Sequence, residues 1–406
     1  MRLLCAAICL AAHPASAITI QVDYTYDTGN FFGSGNPSGA TAGAQAKAAL
    51  EAAASFYSTI LTDSFSVIQT PPQFNGSNGH VVWHWKENFN NPTTNSSVVV
   101  TDATIAANQY IIYAGARSLS GSEAGFGGPG GFTWSSDPTG LFSPAENNQI
   151  NATTATFQNQ VEHRGQASGF SRWGGVVTFD NDGTTPWFFN HLADPSGNVT
   201  DFYSVAIHEL AHALGFGEQV APPQPPAEWQ KLVSGTNFFG VNSENQNSGN
   251  AVPLSPDLGH WVAGKTSVVY GTSTSQEALM DPDIQNGTRK KLTELDAAAL
   301  KDIGWSLGPA PGVNGDYNGN GIVDASDYVV WRKSLNQNVT LPNDNGLGMP
   351  ISTSHYTLWR NNFGKAALGS GSGALFPAGE VPEPASGLLA LMLALCVYFY
   401  RSLRRR

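Results

Sequence analysis

The stretch HELAHALGFG, residues 208–217, constrains this chain more than any other feature of its sequence. His208 and His212 stand four positions apart, and on a helix this spacing places both rings on one face, about 6 Å apart. Two imidazoles so placed can bind one metal ion, and Glu209 beside the first can act as a base toward a metal-bound water. The motif therefore predicts a zinc site carried by a helix.

A catalytic zinc ion needs a third protein ligand, and the sequence offers two candidates. The compact pattern H-E-x-x-H-x-x-G-x-x-H would place a histidine where this chain has Glu218, whose carboxylate can also bind zinc. The other candidate is His260, which lies 48 residues after His212, beyond an insertion rich in Pro and Asn. The residue types by themselves leave both ligands open.

Three features follow one another along the chain from His260 onwards. They are a His-Trp pair at 260–261, the sequence ALMDP containing Met280, and a helix pattern that ends in LKDIGW at Trp305. Together with the motif at 208–217, this order resembles the leishmanolysin branch of the metzincin metallopeptidases, over roughly residues 200–306. In that family the active-site helix breaks at a glycine, and a long insertion precedes the His-Trp that supplies the third ligand.

The resemblance implies a role for each matching residue. The zinc ligands would be His208, His212 and His260, with Glu218 as the alternative third ligand, and Met280 would form a Met-turn beneath the metal. With three histidines bound, the fourth position stays open to water, whose pKa zinc lowers from ~15.7 towards ~7. Glu209 would take the proton of this water and later deliver it to the leaving amine. We therefore expect a zinc-dependent endopeptidase that acts on protein or peptide substrates.

A second metal-binding pattern lies in DYNGNGIVDASD, residues 316–327. Oxygen-bearing side chains occupy loop positions 1, 3, 5, 9 and 12 of an EF-hand, and Gly321 occupies position 6, where the chain must turn sharply. The predicted calcium ligands are Asp316, Asn318, Asn320, Ile322 (through its carbonyl), Asp324 and Asp327. The aspartate at position 12 and the following YVVWRKSL resemble a dockerin-type loop, which implies one calcium ion and a cohesin-like scaffold as partner.

This calcium module contains an internal repeat, because DYVVWRKSL at 327–335 matches HYTLWRNNF at 355–363 with an offset of 28 residues. The second copy has one carboxylate, Asp344, and a proline, Pro350, where ligands should be, so we expect no calcium there. We expect the second half to pack against the first without an ion of its own. The degenerate repeat also weakens the inference of a cohesin-like partner.

Charge and cysteine content exclude several other kinds of site. The formal net charge of −11 argues against nucleic acid as a partner, because phosphate binding needs clustered Lys and Arg. The three cysteines, Cys5, Cys9 and Cys396, all lie in the terminal segments. A mature chain without these segments has no disulfide and no thiolate ligand, so its metals must be held by histidines and carboxylates.

Both ends of the chain predict export. Residues 1–17 combine Arg2, an apolar run and a small-residue cleavage site, as in a secretory signal peptide. At the other end, the Pro-Glu-Pro at 382–384, a short apolar stretch and an Arg cluster resemble a PEP-CTERM sorting tail. That resemblance implies an exosortase-type processing enzyme, a Gram-negative bacterium, and a location at the cell surface, at the outer membrane or outside the cell. Contact with a membrane would occur only through the tail, and a plain tail anchor is the alternative.

Residue patterns predict an α+β fold. Strand patterns occur at 18–27, 80–85, 109–116 and 173–180, helix patterns at 42–65, 200–217 and 292–305, and Gly-rich stretches such as 125–132 are expected to be loops. Thr200 or Asp201 is the expected N-cap of the second helix, and Gly215 or Gly217 its end. The third helix is expected to begin with a capping box formed by Thr293 and Asp296. We expect a metzincin-like catalytic domain with a mixed twisted sheet, an active-site helix, a Met-turn and a C-terminal helix, followed by a small EF-hand or dockerin-like helical module. The predicted segments are signal peptide 1–17, zinc metallopeptidase domain 18–307, linker 308–315, dockerin-like calcium module 316–366, flexible linker 367–381 and PEP-CTERM sorting or transmembrane tail 382–406.

Two other functions stay open from the sequence alone. The chain would be a cell-surface attachment protein if the calcium module bound a scaffold and the metal domain were inactive or had a function other than peptidase. It would be a gluzincin-type hydrolase if a downstream glutamate supplied the third ligand. Met280 and the LKDIGW helix argue against the second alternative.

Overall fold

A computed structural model describes residues 18–365, except 122, 167–171, 223–224, 273, 311, 320, 340 and 345–346. The predicted signal peptide, the flexible linker, the sorting tail and the predicted calcium ligand Asn320 therefore lie outside the described residues. In the described part of the chain, no helix combines the length and the apolar character needed to cross a membrane. The chain divides into two compact units, with described residues 18–310 in the first and 312–365 in the second.

The first unit contains both helices and sheets, which confirms the predicted α+β class. Its helices are α1 (Ala40–Ile60), α2 (Pro144–His163), α3 (Phe202–Ala213), α4 (Glu228–Lys231), α5 (Val241–Gln246) and α6 (Glu294–Asp302). Its longer strands are β1 (Thr19–Asp23), β3 (Asn78–Asn90), β4 (Ser97–Thr101), β5 (Gln109–Arg117), β6 (Gly125–Pro129), β7 (Gly131–Leu141) and β8 (Gly174–Asp180). Its short strands are β2 (Phe74–Asn75), β9 (Trp187–Phe188), β10 (Thr200–Asp201), β11 (Val233–Ser234), β12 (Asn237–Phe238), β13 (Val252–Pro253), β14 (Thr266–Val268) and β15 (Ser275–Glu277).

The main sheet has the strand order β1-β5-β8-β6. Strands β1, β5 and β8 are parallel, whereas β6 runs antiparallel to β8 and lies at the edge of the sheet, with Gly127 opposite Val177. Every residue of β8 is buried, as expected for a parallel strand covered on both faces. Helices α1 and α3 cover one face, and the Tyr57 hydroxyl joins them by donating to the Ile207 carbonyl at 2.9 Å.

A second, antiparallel sheet is built on β3, which pairs with β2, β4 and β7. Alternate residues of β3, among them Val81, Trp83 and Trp85, are buried, as the period of a half-covered strand requires. They form a core with Phe157 of α2 and with Trp173, which precedes β8. The predicted strand at 80–85 is therefore the centre of a longer one.

One prediction about this region was wrong. The glycine-rich stretch 125–132 is not a loop but forms β6 and the start of β7. Its glycines are explained by close packing, because a Cβ on Gly127 would lie 2.1 Å from the Glu209 carbonyl oxygen. The sequence analysis also missed α2, which buries only Phe157 and Val161 and so lacks a clear apolar stripe.

The second unit contains α7 (Ala325–Ser334) and α8 (Thr353–Asn362). The predicted repeat appears as reciprocal hydrogen bonds between its two halves. The indole of Trp331 donates to the Ser352 carbonyl at 2.9 Å, and the indole of Trp359 donates to the Asp324 carbonyl at 2.8 Å. Each helix begins with a capping box, closed by Asp327 in α7 and by His355 in α8. The two halves therefore pack against each other as equivalent elements.

Candidate metal centre

Helix α3 carries the HELAH motif and is fixed at both ends. Asp201 is its N-cap, as predicted, and its side chain accepts from the Ser204 amide at 3.1 Å. The helix ends at Ala213, and Gly215 and Gly217 follow with φ of 99° and 75°, a backbone region that favours glycine. Gly217 packs directly on Gly259, since a Cβ added there would lie 2.4 Å from the Gly259 carbonyl oxygen. This contact brings the segment that carries His260 to the end of the helix.

The structure brings together the rings of His208, His212 and His260. The Nε2 atoms of His208 and His212 are 3.1 Å apart, and the Nε2 of His260 lies 3.2 Å from that of His208 and 3.0 Å from that of His212. Among the described residues, these three form the only group of three or more His, Cys, Asp or Glu ligand atoms that all lie within 4.8 Å of one another.

The other nitrogen of each ring already has an acceptor. The Nδ1 of His208 donates to the Leu279 carbonyl at 2.9 Å, and the Nδ1 of His212 donates to the Phe216 carbonyl at 2.8 Å. The Nδ1 of His260 lies 2.7 Å from the Asp257 carboxylate. A ring that uses its Nδ1–H in this way presents an unprotonated Nε2 on its opposite side when it is neutral.

The three Nε2 atoms therefore face one another, and the lone pairs of neutral rings in this arrangement suit a cation. Tetrahedral ligands at a Zn–N distance of ~2.05 Å would stand ~3.3 Å apart, close to the separations found here. Burial first, and then the neighbouring histidines, lowers the pKa of His208 well below its usual value, and burial with His260 lowers the pKa of His212 to about 4. These two rings are neutral at physiological pH, which is the form that binds metal.

Glu209 directly follows His208 in helix α3. Its side chain is buried between α3 and the edge strand β6, where a Cβ on Gly125 would lie 2.6 Å from its Oε1. No hydrogen bond from the described residues reaches its carboxylate. Burial, with a smaller contribution from the charge of Glu123, raises its pKa to about 8. An unengaged carboxyl group with a raised pKa is suited to accept and release a proton.

Glu218, the alternative third ligand, is engaged elsewhere. Its Oε1 lies 2.6 Å from the Nη2 of Arg172, and both side chains are largely buried. Burial raises the pKa of Glu218, and Arg172 counteracts that shift. The cluster of three rings is complete without Glu218, so the geometry favours His260.

Met280 lies in a turn next to the third histidine and is fully buried. Its carbonyl accepts from the amide of Trp261 at 2.9 Å, and its own amide donates to Asp296 at 3.2 Å. The predicted capping box between Thr293 and Asp296 is present at the start of α6. Sequence reasoning assigned Asp296 only a local capping role and left Asp257 and Arg172 unidentified, although an aspartate three residues before a candidate ligand was a usable signal for Asp257.

The predicted calcium loop turns at Gly321, whose φ is 84°, and the Gly321 amide donates to the Asp316 carboxylate at 2.8 Å. Asp327 accepts from the amides of Asn318 and Asp324 at 3.0 and 2.8 Å. Asp316 and Asp327 are buried, and burial together with Asp316 and Asp324 raises the pKa of Asp327 to about 6. In the described part of this loop, the three carboxylates do not gather as closely as the histidines do. Calcium ligands lie farther apart than zinc ligands and include carbonyl and amide oxygens.

Neither protein-family models, nor curated proteins, nor solved structures match this chain. What the chain can do must therefore be inferred from the three rings, from Glu209 and from the edge strand β6 that packs against Glu209.

Proposed function

We propose that the chain is an exported zinc-dependent endopeptidase of the metzincin type, similar to the leishmanolysin branch. One observation carries the proposal: three buried or half-buried imidazoles converge with their Nε2 atoms 3.0–3.2 Å apart, and the carboxyl group of Glu209, next to His208 in the chain, accepts no hydrogen bond from the described residues. This donor set suits zinc, because nitrogen ligands in a near-tetrahedral arrangement are its usual environment. Export is the part of the proposal that rests on residues 1–17 of the sequence alone.

The ligands in this proposal are His208, His212 and His260. A zinc ion held there would act as a Lewis acid that activates a water molecule and polarises the scissile carbonyl. Glu209 would take a proton from the attacking water and deliver it to the nitrogen of the leaving amine. The hydrogen bonds on the three Nδ1 atoms would hold the rings in the orientation that the ion requires.

The edge strand β6 supplies a place for the substrate backbone. In the described sheet β6 pairs only with β8, so its other edge has unpaired amides and carbonyls beside α3. An extended peptide can add to such an edge through main-chain hydrogen bonds. Gly125 and Gly127 let the strand approach Glu209 closely, which would bring an added peptide near the three rings. A free strand edge suits an endopeptidase, because a substrate chain paired to it can extend past the site in both directions.

We also propose that the second unit binds one calcium ion in the loop 316–327. The support is the pair of buried carboxylates, Asp316 and Asp327, in a loop that turns at Gly321. Buried anions of this kind are costly without a cation. The dockerin-like character of the unit, and a cohesin-like partner, rest on the sequence pattern.

The proposal is tested by metal analysis and peptide hydrolysis on the full chain and on three variants. Wild-type protein should contain one equivalent of zinc and hydrolyse casein, and a chelator should abolish the activity. Glu209→Gln should keep the zinc and lose at least ~100-fold in rate, the usual scale of a lost general base. His260→Ala should lose both the zinc and the activity.

His84→Ala is the matched control, because His84 is a half-exposed histidine whose Nδ1 also lies 2.7 Å from an aspartate, Asp102, outside the cluster. This variant should keep zinc and activity. Full zinc content and full activity in His260→Ala would overturn the ligand assignment. Full activity in Glu209→Gln would overturn the peptidase proposal.

A further inference from the structure

Asp296 was predicted only as part of a local capping box, but its carboxylate also accepts hydrogen bonds from residues that are distant in the sequence. The side chain is fully buried and accepts five hydrogen bonds. Its Oδ2 accepts from the amide and hydroxyl of Thr293 at 2.9 and 2.6 Å and from the amide of Leu279 at 2.9 Å. Its Oδ1 accepts from the indole of Trp261 at 2.9 Å and from the amide of Met280 at 3.2 Å. Three of these donors lie outside α6 and its N-cap Thr293.

The donors at 261, 279 and 280 belong to segments that carry or hold two of the three rings. Leu279 donates its amide to Asp296, and its carbonyl accepts the Nδ1–H of His208 at 2.9 Å. Trp261 follows His260 directly in the chain, and its indole donates to the same carboxylate. The third ring differs, since the Nδ1 of His212 is held by Phe216, close to its own helix.

We infer that Asp296 is the positioning residue that sets the distance between the His208 and His260 rings, by fixing the segments 261 and 279–280 to one carboxylate. This inference rests on the proposed function, because it matters only if the rings hold a metal. An ionised carboxylate has about four lone-pair sites and no proton of its own, so the five donors share these sites, three at Oδ2 and two at Oδ1. An amide of the same shape has one acceptor oxygen, and its NH₂ group would face donors on one side.

The alternative is that Asp296 only stabilises α6. Asp302, at the other end of the same helix, separates the two possibilities. Its carboxylate accepts four hydrogen bonds, all from Asn242 and Ser243 at the start of α5, and none leads to a histidine of the centre. Asp302→Asn therefore removes a comparable set of bonds from the same helix without touching the path to the rings.

The experiment compares full-length Asp296→Asn, Asp302→Asn and Trp261→Phe with the wild type. Zinc affinity is measured by competition with a chromophoric chelator, the visible spectrum of Co²⁺-loaded protein reports ligand geometry, and thermal unfolding reports stability. Asp296→Asn should bind zinc about 10- to 100-fold more weakly and change the cobalt spectrum, as for other outer-shell partners of metal ligands. Asp302→Asn should lower the Tm but keep the zinc affinity and the spectrum of the wild type.

Trp261→Phe removes one donor and keeps an aromatic ring, so it tests the same path if Asp296→Asn does not fold. It should change zinc affinity in the same direction as Asp296→Asn, but less. Zinc affinity and cobalt spectra in Asp296→Asn and Trp261→Phe that match those of Asp302→Asn would overturn the inference and leave the proposed function standing. Wild-type protein that binds no zinc would overturn both.

Discussion

The Nη2 atom of Arg172 lies 2.6 Å from the Oε1 atom of Glu218, in a largely buried ion pair. Glu218 stands six residues after His212, the second histidine of the motif. A carboxylate held in this way is not free to approach the ring cluster. The residue that stands in the expected ligand position of the compact pattern thus belongs to a different interaction. The pair joins the segment before β8 to the segment after α3.

Glu218→Gln should therefore keep one equivalent of zinc and retain activity within a few-fold. It should lower the free energy of unfolding by about 1–3 kcal/mol, because Arg172 loses its charged partner in a mostly buried place. Denaturant unfolding and metal analysis check both expectations. The double variant with Arg172→Met should be less destabilised than the sum of the single changes. Loss of zinc in Glu218→Gln would instead identify Glu218 as a ligand.

Asp257→Ala should weaken zinc binding by about 10- to 100-fold, because the Asp257 carboxylate orients His260 through its Nδ1. Hydrogen bonds from Gly259 and His260 outweigh partial burial and hold the pKa of Asp257 below its usual value, so the group is ionised at neutral pH. The control is Asp102→Ala, which breaks an equivalent 2.7 Å contact to His84 away from the centre. Equal zinc affinity in the two variants would contradict the role given to Asp257.

Gly127→Ala should reduce peptidase activity strongly, because its new Cβ would lie 2.1 Å from the Glu209 carbonyl oxygen and push β6 away from α3. Zinc content should be unchanged, because neither β6 nor Glu209 holds the rings. Gly128→Ala is the matched control, since no atom lies within 4 Å of a Cβ added there. The measurement is kcat/KM on a peptide substrate. If both variants retained wild-type activity, the close approach of β6 would have no catalytic importance.

Glu87 should make the protein less stable as the pH rises. Its side chain is fully buried, its Oε1 has no hydrogen-bond partner among the described residues, and burial raises its pKa from 4.5 to about 7. The unfolded chain releases this proton near pH 4.5 and the folded chain only near pH 7, so the free energy of unfolding falls between these values by up to about 3 kcal/mol. Denaturant unfolding of Glu87→Gln should show a smaller loss between pH 5 and pH 8. The exposed Glu51→Gln should behave like the wild type, and equal slopes for all three proteins would contradict the assignment.

Calcium should raise the unfolding temperature of the second unit, and Asp327→Asn should remove this effect. Asp327 has a pKa raised to about 6, so protons should compete with calcium and weaken its binding below that pH. Asp344→Asn, in the degenerate second repeat, serves as the control and should keep the calcium response. Calorimetric titration with calcium at pH 5 and pH 7.5 measures both effects. A calcium response that survives in Asp327→Asn would contradict the predicted loop.

Much of the fold was readable from local patterns. The Asp201 N-cap, the capping box at Thr293 and the sharp turn at Gly321 each depend on a few neighbouring residues, and the structure contains all three. The strands β5 and β8 were found because runs of apolar residues fit a buried sheet. The edge strand β6 was not found, since its glycines have no strand propensity and are explained only by their contact with α3.

For the site, the sequence by itself determined the pair His208 and His212, because the spacing of a helix fixes their common face, and it placed Glu209 next to the first of them. The tertiary structure decided which distant group completes the set. His260 reaches the pair because Gly217 packs on Gly259, and it is oriented by Asp257. The physical reason is that a helix is a local object with a fixed period, whereas the meeting of residues 48 apart depends on the packing of the segments between them.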